Sequence, residues 1–391
     1  MTNPIMQGTP PPPEMRPTLE NWDWPPMNRW AFQHVAELMP TARVHRGHGP
    51  RSVLAETPRD LDGVAFAAHD GTETTVSDWL ETSFTDGFIV LHRGDVVYER
   101  YLNGMGPTTL HLSESVAKSV TAAAAGVLIG QGVLDPDAPV TTWVPEFRGR
   151  GYDGATLRQV MDMQSGVAFS EDYTDFDCDC AVLERVSGWK PTRDGDPSCM
   201  FDQAVGLDRI RPHGQRFEYR SIETEVMAFC MERATGERLA DLVSRLIWDP
   251  LGVDEDARYT VDPAGLASAS GGFNATLRDY ARFGQMLTQD GYFNDRQIVP
   301  SAFIAESRQG NHQKFLAAEV ATLPNGAYRN QFWVEDVSTR VLMGLGIFGQ
   351  FVYSDPDAEV TVVKLSTWPE PLSDPRKTDT LRAVHAIKRA L

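Results

Sequence analysis

The chain has 391 residues, 41% hydrophobic and 23% charged, with a net charge of −18. That length is too great for one small core, and the composition is ordinary for a globular protein, which excludes global disorder. The acidic balance argues against nucleic acid or an anionic membrane as the main partner, because both need basic patches, and a small molecule is expected instead.

Residues 1–26 are proline-rich, with Pro10 to Pro13 in a row. They predict an arm that forms no helix and wraps the surface. The start of the chain has neither the basic segment nor the apolar stretch of a signal peptide. The longest apolar run, Val120 to Ile129, is too short to cross a bilayer. A cytoplasmic protein with no membrane partner is expected. Residues 28–39 and 76–83 have helical spacing of apolar residues. Gly87–His92 and Val96–Tyr101 flank Arg93-Gly94-Asp95 and predict a hairpin, in which the Arg-Gly-Asp triplet is turn chemistry rather than an adhesion motif.

A long alanine-rich helix is expected from about Ser115 to Gln131, ended by Gly132 and Asp135-Pro136. Residues 156–165 predict a helix stopping at Gly166, and 167–215 read as irregular. Helices are expected at 221–235, 238–249 and 276–289. Val341–Tyr353 and Glu359–Ser366 then read as strands around a turn at Ser354–Asp357, and a last helix runs from about Asp379 to Leu391. Strands near both ends with helices between them predict an α+β fold, in which the two ends share an antiparallel sheet flanked by helices. The expected division is 1–155 with 271–391 as the α/β domain, and 156–270 as a mostly helical inserted domain.

The chemical signal is Ser115-Val-Ala-Lys118, an S-x-x-K motif. Residues three apart share a helix face, so the lysine amine reaches the serine hydroxyl. A serine hydroxyl is a weak nucleophile and needs a base, and a lysine serves once burial favours its neutral form. A serine at a helix N-terminus also has N–H groups beside a developing oxyanion. A second copy, Ser187-Gly-Trp-Lys190, is followed by Pro191 and has no helical run behind it. The motif alone leaves Ser115 open between nucleophile and ordinary first-turn serine. Two G-x-G-x-x-G strings, at 149–154 and 344–349, lack the strand-then-helix setting of a dinucleotide site, and no G-x-S-x-G or P-loop occurs. Cys178-x-Cys180 has no second pair at zinc-ligand spacing. Neither metal nor cofactor is expected.

With these residues the chain resembles the serine β-lactamase-like, penicillin-recognising family of class C β-lactamases, family VIII carboxylesterases and D-amino-acid peptidases. Within it, the likeness is to the nylon-oligomer (6-aminohexanoate-dimer) hydrolases. It covers nearly the whole chain and includes Asn28–Phe32, Tyr152–Gly154, Asp162–Gln164, Glu171–Tyr173, Ser187–Trp189, Gln331–Trp333 and Lys364–Pro369. The resemblance implies a β-lactamase/transpeptidase-like fold and an acyl-serine mechanism on a linear amide or carboxylic ester. It implies catalytic Ser115, Lys118 and Tyr219, the last in Tyr219-Arg-Ser221, with the backbone N–H groups of Ser115 and Ile347 holding the oxyanion. It also implies substrate contacts from Tyr173, Glu184, Ser270, Phe348 and Trp333. The family's histidine, aspartate and asparagine stand here as Phe348, Glu184 and Ser270. No K-T-G occurs, which turns expectation away from β-lactams. A short-chain esterase remains the alternative among enzymes, a non-catalytic binding protein the alternative outside them, and a homodimer is left open.

Overall fold

The computed structural model describes residues 5–391; residues 1–4 of the predicted arm lie outside the described residues. The rest of the arm is turns with one 3-10 turn at Pro13–Met15. It does more than wrap the surface. Trp22 is fully buried and its indole N–H donates to the Trp189 carbonyl at 2.8 Å, because a tryptophan carries a large apolar area and one donor to satisfy. The single helix expected at 28–39 is two pieces, a short helix Asn28–Ala31 and a 3-10 turn Val35–Glu37. His34, stacked on Trp30 with ring centroids 4.0 Å apart, takes the non-helical conformation that separates them.

The first half then runs β1 (Thr41–Val44), α1 (Val76–Thr82), β2 (Thr85–His92), β3 (Asp95–Tyr101), β4 (His111–Leu112) and α2 (Val116–Gly130). The β2–β3 hairpin turns at Arg93 and Gly94, both at positive φ, as its turn chemistry predicts. The middle holds α3 (Leu157–Met161), α4 (Asp179–Val186), α5 (Met200–Gly206), α6 (Ser221–Thr235), β5 (Ala257–Thr260), β6 (Phe273–Ala275) and α7 (Leu277–Thr288). Two expectations fail here. The helix at 156–165 stops at Met161, since Met163 adopts a left-handed φ of 55°. The stretch 167–215 is not wholly irregular, because it contains α4 and α5. The 238–249 helix is present as Leu239–Leu251 with a π turn at Ser244–Trp248.

The last part supplies β7 (Ala327–Arg329), β8 (Phe332–Val334), β9 (Leu342–Gly346), β10 (Gln350–Asp355), β11 (Val360–Ser366) and α8 (Asp374–Ala390). Helix α8 starts five residues before the expected Asp379, with Pro375 in its first turn, where a missing N–H costs nothing. The strand expected over Val341–Tyr353 is two strands, β9 and β10. Between them Phe348 (φ 58°) and Gly349 (φ 88°) make a corner. A Cβ on Gly349 would come 2.3 Å from the Trp368 ring, so only glycine fits there.

Seven strands form one antiparallel sheet in the order β7-β8-β9-β10-β11-β2-β3. The β11–β2 pairing, with Val362 opposite Val90, joins the two ends of the chain. A second sheet has the order β1-β5-β6-β4. On one face of the large sheet Ile89, Leu91, Val352 and Val363 pack with α2 and α7. On the other, Phe88, Val90, Tyr353 and Val362 pack with Trp79 of α1 and Val384 and Ile387 of α8. Burial on both faces explains why the middle of β2, Phe88–Leu91, reads as an unbroken apolar run rather than an alternating one. Among the described residues, no helix is long and apolar enough to cross a membrane.

Candidate active site

Strand β4 leads directly into the N-terminus of α2. The Ser113 N–H and hydroxyl both donate to the Phe273 carbonyl, at 2.9 and 3.1 Å, which fixes the chain just before the helix. Glu114 follows at φ 48°, and this left-handed step swings Ser115 out at the head of α2. From Val116 to Leu128 every residue of α2 is buried. The small side chains of Ala122–Ala125 let neighbouring elements pack close around it.

Lys118 is 1% exposed. Its Nζ donates to the Ser270 carbonyl at 2.8 Å and lies 2.8 Å from Ser115 Oγ. Burial lowers its pKa, partly opposed by the carboxylates of Glu171 and Glu225. Tyr219 closes the arrangement. Its ring faces the same cleft, with the Ser115 hydroxyl acting on its titration, and the Lys118 Nζ sits 5.1 Å from its ring centroid. Burial, then the charge of Glu171, push the Tyr219 pKa well above the usual phenol value. Trp333 stacks on Tyr219 at 5.6 Å.

Ser115, Tyr219, Trp333 and Ile347 line one cavity of about 440 Å³, whose other walls include Leu345, Phe351, Trp368 and Leu372. Tyr173 lines this cavity and a neighbouring one of about 340 Å³, and its hydroxyl donates to Glu171 at 2.6 Å. Glu184 and Phe348 line the second cavity. Phe348 is only 3% exposed and packs edge-on against Phe32 at 5.4 Å, so most of its ring belongs to the core. Its N–H donates to the Pro371 carbonyl. Ser270 differs from expectation in kind: its backbone carbonyl holds Lys118, while the residue also borders a small cavity of about 40 Å³ beside Ser115. The second S-x-x-K is not a dyad. Ser187 donates to the Glu184 carbonyl at 2.9 Å, and Lys190 is ion-paired with Asp23.

Residues 83–387 match the Beta-lactamase family. The chain belongs to that family. It is 37% identical over 357 residues to the 6-aminohexanoate-dimer hydrolase of Paenarthrobacter ureafaciens, covering 91% of this chain and 89% of the relative. It is 30% identical over 193 residues to Esterase EstB of Burkholderia gladioli, 45% of this chain and 47% of that one. A structure from Bacillus anthracis, provisionally named a 6-aminohexanoate-dimer hydrolase, superposes with a TM-score of 0.88 at 30% identity, over 95% of this chain and 96% of its own. The expectation of a β-lactamase-like hydrolase fold is thereby met.

Within this beta-lactamase-family site, four acidic residues went unassigned from the sequence. Glu225 on α6 accepts the N–H groups of Ala269 and Ser270 at 3.0 and 2.9 Å, and so aims the carbonyl that holds Lys118. Burial pushes its carboxyl up to about 7. Glu171 accepts from the Ser221 N–H at 2.5 Å and hydroxyl at 2.7 Å, tying the tyrosine loop to the start of α6. Asp23 reaches the cleft from the arm, and Glu114 precedes the nucleophile. Nothing local flags Glu225 or Asp23, whose partners Ala269, Ser270 and Lys190 lie far along the chain.

Proposed function

We propose that this protein is a serine hydrolase that cleaves a linear amide or carboxylic ester through an acyl-enzyme on Ser115. The observation that carries the reading is a buried lysine amine, depressed in basicity, 2.8 Å from a serine hydroxyl that opens on a substrate-sized cavity. In the proposed cycle, neutral Lys118 accepts the Ser115 proton directly or through the Tyr219 phenol while Oγ attacks the carbonyl carbon. One N–H of Lys118 is already donated to the Ser270 carbonyl, which leaves the lone pair of the neutral amine free to turn to Ser115. The N–H groups of Ser115 and Ile347 receive the oxyanion. Because the Phe348 N–H is committed to Pro371, Ile347 is the better donor on that corner. The proton passes to the departing nitrogen or oxygen, and water, deprotonated by the same pair, releases the acid.

For the substrate, the apolar walls at Trp333, Leu345 and Phe351 suit an alkyl chain. Glu184, bordering the neighbouring cavity, suits an ammonium end. The likeness to a 6-aminohexanoate-dimer hydrolase supports an amide of this kind, and the likeness to an esterase supports short esters. We place the protein in the cytoplasm, which suits four free, buried cysteines.

Labelling with a fluorophosphonate probe and hydrolysis of p-nitrophenyl acetate test the reaction class. Both are expected in the wild type and absent in Ser115→Ala; labelling that survives in the variant would refute the assignment. A parallel assay of short esters, the linear 6-aminohexanoate dimer and nitrocefin sorts the substrate. Ester turnover without dimer turnover would remove the amidase reading.

A further inference from the structure

Two aromatic rings stand at the edge of the 340 Å³ cavity without belonging to the core. Trp24 comes from the N-terminal arm and Phe176 from the loop before α4, and both line this cavity. Tyr173 and Ile347 line it too, and both also line the cavity that holds Ser115, so one substrate can reach from the nucleophile to the two rings. The ring centroids of Trp24 and Phe176 are 6.4 Å apart and their planes are tilted by 57°. Phe176 is 61% exposed, and Trp24 is partly buried. Among the described residues, neither ring joins a hydrophobic core cluster. A single exposed phenylalanine is ordinary. One that meets a tryptophan from a distant part of the chain, at the edge of a cavity, has a partner and a place that packing of the core does not require.

Both rings are presented by anchored backbone. Just before Trp24, Trp22 is fixed under Trp189 and Asp23 is ion-paired with Lys190. The Trp24 N–H donates to the Asn21 carbonyl at 3.1 Å, and the Trp24 carbonyl accepts from the Asn28 N–H at 3.0 Å. The Phe176 carbonyl accepts from the Arg185 guanidinium at 3.3 Å, and Asp196 holds that arginine at 2.8 Å. Rings placed in this way lose little freedom when a ligand arrives, which favours binding. The cations of the cavity are already engaged: Lys190, Arg185 and Arg193 are paired with Asp23, Asp196 and Asp177. Nothing in that set calls for an anionic group. The two rings instead form the sides of an apolar wedge.

We infer that Trp24 and Phe176 together form an aryl subsite, which selects substrates carrying a neutral aromatic ring remote from the scissile bond. The inference rests on the serine-hydrolase reading of the same cleft. A third ring entering the wedge can meet both residues edge-on or offset at about 4.5 to 7 Å between centroids, the arrangement aromatic pairs prefer. A cyclohexyl group of similar bulk has no polarised face or edge and gains apolar burial alone.

The test uses the full-length protein hydrolysing ethyl butyrate, an ester with no ring of its own, with 3-phenylpropan-1-ol and 3-cyclohexylpropan-1-ol as competing inhibitors. The readout is the ratio of the two inhibition constants, in which any general loss of activity cancels. In the wild type the phenyl compound should bind about fivefold more tightly. Trp24→Leu and Phe176→Leu keep apolar bulk but remove a ring, and each should bring the ratio below about twofold. Phe176→Tyr restores a ring and should keep the preference. If Trp24→Leu does not fold, Phe176→Leu decides, because that side chain is the more exposed. Equal inhibition by the two alcohols in the wild type overturns the subsite. A preference that survives either leucine substitution, or that Phe176→Tyr loses as fully as Phe176→Leu, overturns the assignment to these rings. Absence of wild-type turnover strikes the hydrolase reading itself, and calorimetry with the same two alcohols then reads the subsite; turnover without aryl preference strikes only this inference.

Discussion

The molecule contains two buried lysines that each touch a serine, and only one pair opens on a substrate cavity. Lys118 and Ser115 are three residues apart on a helix. Lys364 and Ser366 are two apart on β11, so both side chains leave the same face of the strand. Both amines sit against aromatic rings: Lys118 by Tyr219, and Lys364 between Trp79 and Trp368 at 5.4 and 5.6 Å. Burial lowers both, Lys364 to about 7. Lys364 hydrogen-bonds Ser366 and the Ser83 carbonyl, and both Lys364 and Ser366 are 0% exposed. A depressed lysine beside a serine is thus a product of burial, and what separates a reactive pair from a structural one is the space in front of the hydroxyl.

The contrast can be broken most directly at Lys118. Replacement by alanine should cut kcat for p-nitrophenyl acetate by about 10²- to 10⁴-fold, the usual worth of a positioned base, whereas Lys364→Met should still label with a fluorophosphonate. Loss of labelling in the second variant would place Lys364 in the reaction. A smaller effect is expected at Trp333, whose replacement by leucine should raise KM for butyryl esters by about fivefold, from apolar area withdrawn from the cavity wall. An unchanged KM would put the acyl chain elsewhere.

Two pH measurements sharpen the comparison further. Lys118 works only when neutral, so kcat/KM should rise as pH increases through its depressed pKa. Glu225 acts to raise that pKa, so Glu225→Gln should move the acid limb to lower pH, by about one unit or less. A shift to higher pH would contradict the assignment. Lys364 leaves a mark in stability instead. Its folded pKa, about 7, lies below the usual 10.5, so the unfolded chain holds more protons between these values. Relative to Lys364→Met, wild-type Tm should fall as pH drops from 10.5 toward 7 and level off below. No pH-dependent difference would mean that Lys364 is solvated after all.

How much of this was readable from the sequence follows from distance along the chain. Ser115 and Lys118 were legible because one helical turn brings them together, and the alanine-rich run after them marks a helix that can be buried. The β2–β3 hairpin and the helix ending at Gly236 were legible for the same local reason. Tyr219, Ile347 and Tyr173 came only through family likeness, since nothing near them in the sequence marks a partner at 115. The corner at Ile347–Gly349 was misread because its apolar residues continue the pattern of a strand, and only the glycines at 344, 346 and 349 hint at a break. Helices α4 and α5 were lost among aspartates, glycines and prolines. Glu225 was invisible because its partners lie 44 and 45 residues away.

The anchoring of Trp22 under Trp189 has a bearing on how this enzyme diversifies. It holds Asp23 and Trp24 in the wall of the 340 Å³ cavity, on a strip that pairs with no strand of either sheet. Exchanges at Trp24 can therefore retune which molecules are accepted while the sheets that carry the reaction stand, whereas an exchange at Asp23 also strips Lys190 of its ion pair, so libraries seeking new substrates have a natural starting place at Trp24.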